Sequence, residues 1–284
     1  MTNKFFKATV FDRALLAIAA SIGVASAQTQ FMISSVNSSE VLTVPNSSKS
    51  PGVGIQQSTA LGGTNQQWTL HRIATNDDLC YEEELCYEIL SISSGMALTV
   101  NGASTMPGDS ITSGLPIQQE PPVGGANQLW TLYRAPGATG YGILAVDTEP
   151  SNDVALDVPH FSTTPIAIQE YTENNGTNQQ WTFIPLVSRG ISLSASGATL
   201  TINGYGFQAG TEVCPVSGTP PAAPTCTTVL ANGTFSYAPP HAPRTYYDSS
   251  IPGYIVVIVE DKSANVLAVG SLPGAFEVEP IEVR

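Results

Sequence analysis

One string of four residues recurs three times in this chain and constrains its fold more than any other feature. It reads Asn65-Gln66-Gln67-Trp68, Asn127-Gln128-Leu129-Trp130 and Asn178-Gln179-Gln180-Trp181, and it takes up all 3 tryptophans of the sequence. Upstream of each Asn, at one constant spacing, stands a Gln preceded by Ile: Ile55-Gln56, Ile117-Gln118 and Ile168-Gln169. Further upstream each copy carries a leucine, a polar residue and a valine, as Leu42-Thr43-Val44, Leu98-Thr99-Val100 and Leu156-Asp157-Val158. Each Trp runs on into a short alternating stretch, Thr69-Leu70, Thr131-Leu132 or Thr182-Phe183. A β unit this small cannot bury its own apolar face, so three copies must close on a shared core. A Trp in every copy is the natural plug of that core, provided its indole N–H finds one acceptor. Gln66, Gln128 and Gln179 stand two residues before the Trp and so point to the same side of a strand. Their amides carry donors and an acceptor that can tie down the backbone of the preceding loop.

These motifs resemble the ricin B-type lectin family, whose fold is the β-trefoil of three related subdomains. The resemblance covers about residues 30–187. The Trp-to-Trp steps of 62 and 51 residues are longer than is usual in the family. An insertion from Asn76 to Cys86, with the acidic tract Asp77, Asp78, Glu82, Glu83 and Glu84, accounts for the excess of the first step. The family pattern implies a sugar site in which a carboxylate accepts from paired hydroxyls, an aromatic ring packs on the apolar face of the sugar, and amides complete the hydrogen bonds. The carboxylate is the polar residue between Leu and Val, the aromatic lies two residues after the Gln of the Ile-Gln pair, and the Asn belongs to the Trp string. Copy three has the whole set: Asp157, Gln169, Tyr171, Asn178 and Gln179. Copy one has Thr43 and Ser58, and copy two has Thr99 and Glu120, where the acid and the aromatic belong. The expectation is one competent carbohydrate site, in the third subdomain, with the first two copies as scaffold. His160, close after Asp157, is placed to reach the rim.

Charge supports this direction. Only 12% of residues are charged, and 23 acids oppose 10 bases for a net charge of −13. So few cations supply no face for phosphate neutralisation, which argues against nucleic acid and anionic membranes as partners. A surface of neutral amides and hydroxyls suits an uncharged polyhydroxyl ligand, so the expected partner is a glycan or polysaccharide.

Residues 1–27 read as a secretory signal peptide. Lys4, Lys7 and Arg13 give a basic start, Ala14 to Val24 a short apolar run, and Ala25-Ser26-Ala27 the small-residue cleavage pattern. That run is too short to span a bilayer, so no membrane insertion is expected. Secretion agrees with an even number of cysteines falling as two local pairs, Cys80 with Cys86 and Cys214 with Cys226, which read as disulfides. Metal ligation is not expected, because His71, His160 and His241 lie away from the cysteines. No cofactor motif is present either.

After Pro185 the Trp string stops. Ile191 to Ala195, Thr199 to Asn203, Cys226 to Leu230, Thr234 to Tyr237, Tyr254 to Glu260 and Val266 to Gly270 are short strand-like runs. Asn203-Gly204, Asn232-Gly233 and Pro252-Gly253 read as turns between them. Gly204 to Gly210 and Asn232 to Phe235 are similar to Ig-like modules of exported surface and carbohydrate-active proteins. The expected architecture is therefore all-β: a signal peptide at 1–27, a β-trefoil lectin domain at 28–187 and an Ig-like β-sandwich at 188–284. No nucleophile elbow, zincin motif or phosphate-cradling loop occurs, and no paired carboxylates suggest glycoside hydrolysis, so an enzyme is not expected. Two readings follow: a secreted lectin, or an extracellular interaction protein in which the trefoil is a scaffold.

Overall fold

Short alternating runs separated by Gly-, Asn- and Pro-containing turns form strands along the chain, and no α-helix occurs among the described residues. The computed structural model describes residues 29–73, 86–102, 114–135, 137–146, 154–186, 190–196, 199–207, 209–217, 226–238, 254–261 and 263–273. The expected signal peptide, Cys80, the acidic tract after Asn76, His241 and the turn at Pro252 lie outside them.

Copy one comprises β1 (Phe31–Ser35), β2 (Val41–Thr43), β3 (Val53–Gly54), β4 (Gln56–Ser58) and β5 (Trp68–Arg72). Copy two has β6 (Tyr87–Ser91), β7 (Ala97–Val100), β8 (Ile117–Glu120) and β9 (Trp130–Tyr133), and copy three has β10 (Gly142–Ala145), β11 (Val154–Asp157), β12 (Ile166–Ala167), β13 (Gln169–Thr172) and β14 (Trp181–Pro185). The first and last strands of the copies form a closed antiparallel ring. β1 pairs with β5, β5 with β6, β6 with β9, β9 with β10, and β14 with β1. The ring shuts where Tyr141 and Trp181 exchange two backbone hydrogen bonds of 2.8 Å. The hairpins β2–β4, β7–β8 and β11–β13 cover one end of this barrel. They meet through the isoleucines of the three Ile-Gln pairs. The N–H of Ile55 donates to Ile117 O (2.8 Å), that of Ile117 to Ile168 O (3.0 Å), and that of Ile168 to Ile55 O (2.9 Å).

The three tryptophans are the largest fully buried side chains, and they fill one core with Phe31, Ile33, Leu70, Tyr87, Ile89 and Leu156. Each indole N–H donates to the leucine carbonyl of its own Leu-polar-Val step: Trp68 to Leu42 (3.1 Å), Trp130 to Leu98 (3.0 Å) and Trp181 to Leu156 (2.9 Å). Sidedness and hydrogen bonding are thus solved once and used three times, which satisfies the one polar atom each plug brings into the core.

A second unit begins at Gly190. Its strands are β15 (Gly190–Ser196), β16 (Thr199–Tyr205), β17 (Glu212–Ser217), β18 (Thr227–Thr228), β19 (Phe235–Tyr237), β20 (Tyr254–Asp261) and β21 (Val266–Pro273). They form two antiparallel sheets, ordered β15-β16-β19 and β18-β17-β20-β21. Ile202 and Phe235 of the first sheet share a core with Val213, Val257, Val259 and Leu267 of the second. Two sequence expectations change here. Asn203-Gly204 is not a turn but the interior of β16, paired with Ser192 and Ile191. Glycine is needed there because a Cβ on Gly204 would lie 2.0 Å from the Phe235 ring packed across it. Strand β17 escaped the pattern because Pro215, which cannot donate to a ladder, interrupts it. Cys214 and Cys226 form a disulfide, and Cys86 is disulfide-bonded as well.

The second unit also completes the trefoil core. Ile258 and Val266 belong to the barrel cluster, with Val269 packed against it. The register Trp68↔Ser91 to Arg72↔Tyr87 places Arg72 and Tyr87 at the barrel end away from the hairpins. There the β20–β21 hairpin docks: Arg72 N–H donates to Ala264 O at 2.8 Å, and Arg72 Nε pairs with Glu260.

Candidate functional site

In each copy a single-turn 3-10 helix precedes the Trp, at Thr64–Gln66, Ala126–Gln128 and Thr177–Gln179. It turns the Asn and the first Gln of the string back toward the hairpin. Gln66 Oε1 accepts from Leu61 N–H (2.7 Å), while its Nε2 donates to Thr59 O (2.8 Å) and Thr43 Oγ1 (3.1 Å). Gln128 repeats this with Val123 N–H (2.8 Å), Pro121 O (2.9 Å) and Thr99 Oγ1 (3.2 Å). Gln179 accepts from Asn174 N–H (2.8 Å), donates to Thr172 O (3.0 Å), and has Asp157 where the other copies have threonine. These glutamines are buried struts in every copy, and the third also touches the candidate carboxylate.

Copy three alone places a carboxylate at the centre of this arrangement. Asp157 lies opposite Gln169, and Ala155 opposite Tyr171, in the β11–β13 register. Side chains alternate along a strand, so Asp157, Gln169 and Tyr171 share one face of the hairpin. Asn178 Nδ2 donates to Asp157 Oδ1 at 2.6 Å, and Gln169 Nε2 to Oδ2 at 2.8 Å. Asp157 is 2% exposed, whereas Tyr171, opposite Ala155 on the same face, is 45% exposed. Burial pushes the Asp157 carboxyl above its usual range, against the opposing pull of the Gln169 and Gln179 amides and the His160 ring. A carboxylate has about four lone-pair sites, so fixed amides orient it and leave acceptor capacity for a hydroxyl. Asn178 fits because Gly176 has no side chain: a Cβ there would lie 2.4 Å from Asn178 Oδ1.

The other copies fill the same face differently. Thr43 Oγ1 donates back to Val41 O (2.9 Å) and accepts from Ser58 Oγ (2.7 Å). Thr99 Oγ1 donates to Ala97 O (2.9 Å), and Gln118 Nε2 turns along its own strand to Glu120 Oε1 (2.9 Å). Of the five residues expected from the third copy, Asp157, Gln169, Asn178 and Gln179 are joined by hydrogen bonds and Tyr171 shares their hairpin face, while among the described residues the first two copies assemble neither a carboxylate between two strands nor an aromatic platform.

The residue that follows each Ile-Gln pair also has a role, which no motif above marked. Gln57 Nε2 donates to Ser162 O (3.0 Å) and Thr164 O (2.8 Å) of copy three, and Gln119 Nε2 to Ser48 O (3.1 Å) and Ser50 O (2.8 Å) of copy one. Glu170, buried at the same place in copy three, accepts from Leu115 N–H (3.4 Å) of copy two. The repeat Gln57, Gln119, Glu170 was present in the sequence as the signal for this interlock. His71, set apart at first only as remote from any cysteine, meets Asn265 Oδ1 at 3.2 Å beside the second unit.

The model of a ricin-type β-trefoil lectin domain-like family matches residues 21–82 and 79–155. No curated protein matches the chain. Among solved structures, the designed threefold-symmetric protein ThreeFoil is 31% identical, with a TM-score of 0.45 over 55% of this chain and 99% of its own. The Rhizoctonia solani agglutinin is 18% identical, with a TM-score of 0.43 over 56% and 95% of the two chains. A Macrolepiota procera ricin B-like lectin, solved in complex with lactose, is 21% identical, with a TM-score of 0.41 over 57% and 97%. The closed ring, the capping hairpins and the family match define an all-β protein carrying a β-trefoil. Residues 21–155 of it are similar to ricin-type β-trefoil lectin domains, the family whose model they match.

Proposed function

We propose that this is a secreted, non-enzymatic carbohydrate-binding protein that recognises a sugar through the third trefoil subdomain. The observation that carries this reading is Asp157 bridged by Asn178 and Gln169, with the exposed ring of Tyr171 on the same hairpin face. The carboxylate accepts from adjacent hydroxyls, Gln169 and Asn178 hold it in place, and Tyr171 packs against the C–H face of the ring. Gln179 braces the loop behind them. The signal-like sequence at 1–27 and the Cys214–Cys226 disulfide favour export. No helix among the described residues is long and apolar enough to cross a membrane. The strand order of the second unit, three strands against four around one core, favours an Ig-like sandwich, which we read as a spacer.

A glycan array tests this reading, with lactose and GalNAc included because solved neighbours are described in complex with them. Wild-type protein is expected to be retained by a defined subset of sugars. Asp157→Thr, which installs the residue of the other two copies, is expected to lose retention while keeping its melting temperature. A blank wild-type array favours the scaffold reading, to which the threonines of copies one and two already give some weight.

A further inference from the structure

The segment that follows Asp157 turns through two consecutive residues in the left-handed region. His160 has φ 55° and Phe161 φ 53°, within a turn opened by Pro159. Copy one makes the same turn with Asn46 at φ 54° and Ser47 at φ 51° after Pro45. Asn tolerates this conformation, but a bulky aromatic there is strained by about 1–3 kcal/mol. Strain of this kind persists only where the surroundings impose it. Here copy one does so: Asn37 Nδ2 donates to Phe161 O (3.0 Å) and Ser162 O (3.1 Å), and Gln57 Nε2 to Ser162 O (3.0 Å).

The strained residue stays half exposed. Phe161 is 52% exposed, and its Cζ lies 3.1 Å from the point a Cβ on Gly176 would occupy, next to Asn178. Along β11 the order is Ala155, opposite Tyr171, then Asp157, opposite Gln169, then Pro159 and the turn. The turn that carries Phe161 thus follows Asp157 at the end of β11 away from Tyr171. Strand rise separates Tyr171 from the level of Asp157 by about 7 Å, room for one sugar ring between them. A single ring seated on Asp157 and Tyr171 leaves Phe161 free to meet whatever is joined to it.

We propose that Phe161 is a specificity-determining wall of the third-copy site, packing against the second sugar unit of a glycan, so that the site selects a disaccharide over a monosaccharide. The inference rests on the sugar-binding reading above and adds to it the length of the ligand.

The test compares the best monosaccharide on the array, as its methyl glycoside, with the best disaccharide containing it, both by isothermal titration against the full chain. Phe161→Ser transplants Ser47 of copy one and suits the left-handed backbone, so its melting temperature should equal or exceed that of the parent. Wild type is expected to prefer the disaccharide by about fivefold, the scale of one aromatic contact. Phe161→Ser should lose that preference while binding the methyl glycoside unchanged. An unaltered preference in Phe161→Ser overturns the role of Phe161 and leaves the sugar site standing. Equal loss of both ligands also overturns it, since the residue would then shape the primary site. Wild-type protein that binds no sugar overturns this inference together with the reading beneath it.

Discussion

Arg72 Nε and Glu260 Oε2 meet at 2.7 Å across the boundary between the trefoil and the second unit, with the Glu260 side chain only 1% exposed. Tyr87 O–H adds a hydrogen bond to Glu260 Oε1 at 3.2 Å, and burial raises both Glu260 and Tyr87 above their usual pKa values. Breaking such a pair from one side strands the other charge. Glu260→Ala is therefore expected to cost about 3 kcal/mol, the low end for a buried pair, because Arg72 keeps some contact with water. Chemical denaturation should show a lower midpoint, with the trefoil and second-unit probes no longer coincident. A coincident transition at the parental midpoint would contradict this account of the joint.

The tryptophans are predicted to tolerate no truncation, even in copies without a complete site. Trp130→Ala should lose about 3–5 kcal/mol through its cavity. Trp130→Phe should lose less, about 1–3 kcal/mol, chiefly because the Leu98 carbonyl is left without its donor. Urea denaturation of both variants separates the packing contribution from the polar one.

Gln57 lies in copy one, yet its amide holds Ser162 and Thr164 in copy three. Gln57→Leu keeps the bulk and removes three hydrogen bonds, counting the one accepted from Ser38 Oγ. Faster amide exchange around residues 160–164 is expected, with a stability loss of about 1–3 kcal/mol. Protection unchanged in that segment would show that the interlock does not restrain it.

Acid should act on binding and on stability in opposite directions at Asp157. Burial raises its pKa in the folded protein above the ordinary aspartate value, so the folded form takes up a proton before the unfolded chain does. Between the two values the folded state binds more protons, and this residue's contribution to stability increases as pH falls through that window. Sugar hydroxyls need the ionised acceptor, so affinity should decline in the same window, at higher pH than an ordinary aspartate would give. Titration calorimetry of the wild type across acid pH, with melting temperatures measured alongside, checks both signs, and Asp157→Thr should flatten the pH dependence of the melting temperature.

The sequence revealed the trefoil because its demands repeat. Trp68, Trp130 and Trp181 each need a carbonyl, and Ile55, Ile117 and Ile168 each need the next copy, so the same residues return at matching places. The third-copy site was legible for a related reason: Asp157 and Tyr171 stand out against Thr43, Ser58, Thr99 and Glu120. Phe161 was not legible as a site residue, since its exposure depends on a backbone conformation imposed by Asn37, far away in the chain. Glu260 and Arg72 were not legible at all. They lie 188 positions apart, and neither carries a local pattern that names its partner.

The isoleucine triangle and the six-stranded ring have no first member. Because β14 already lies beside β1, joining those strands and opening the chain before β6 or β10 instead would leave the ring's pairings and every link of the triangle in place. Rotation by one third is thus nearly neutral for the barrel itself. The second unit breaks that equivalence, since it is tethered after copy three but its hairpin reaches the strands at Arg72 and Tyr87. It acts as a key that fixes the angular position of the one elaborated face relative to everything carried beyond the trefoil.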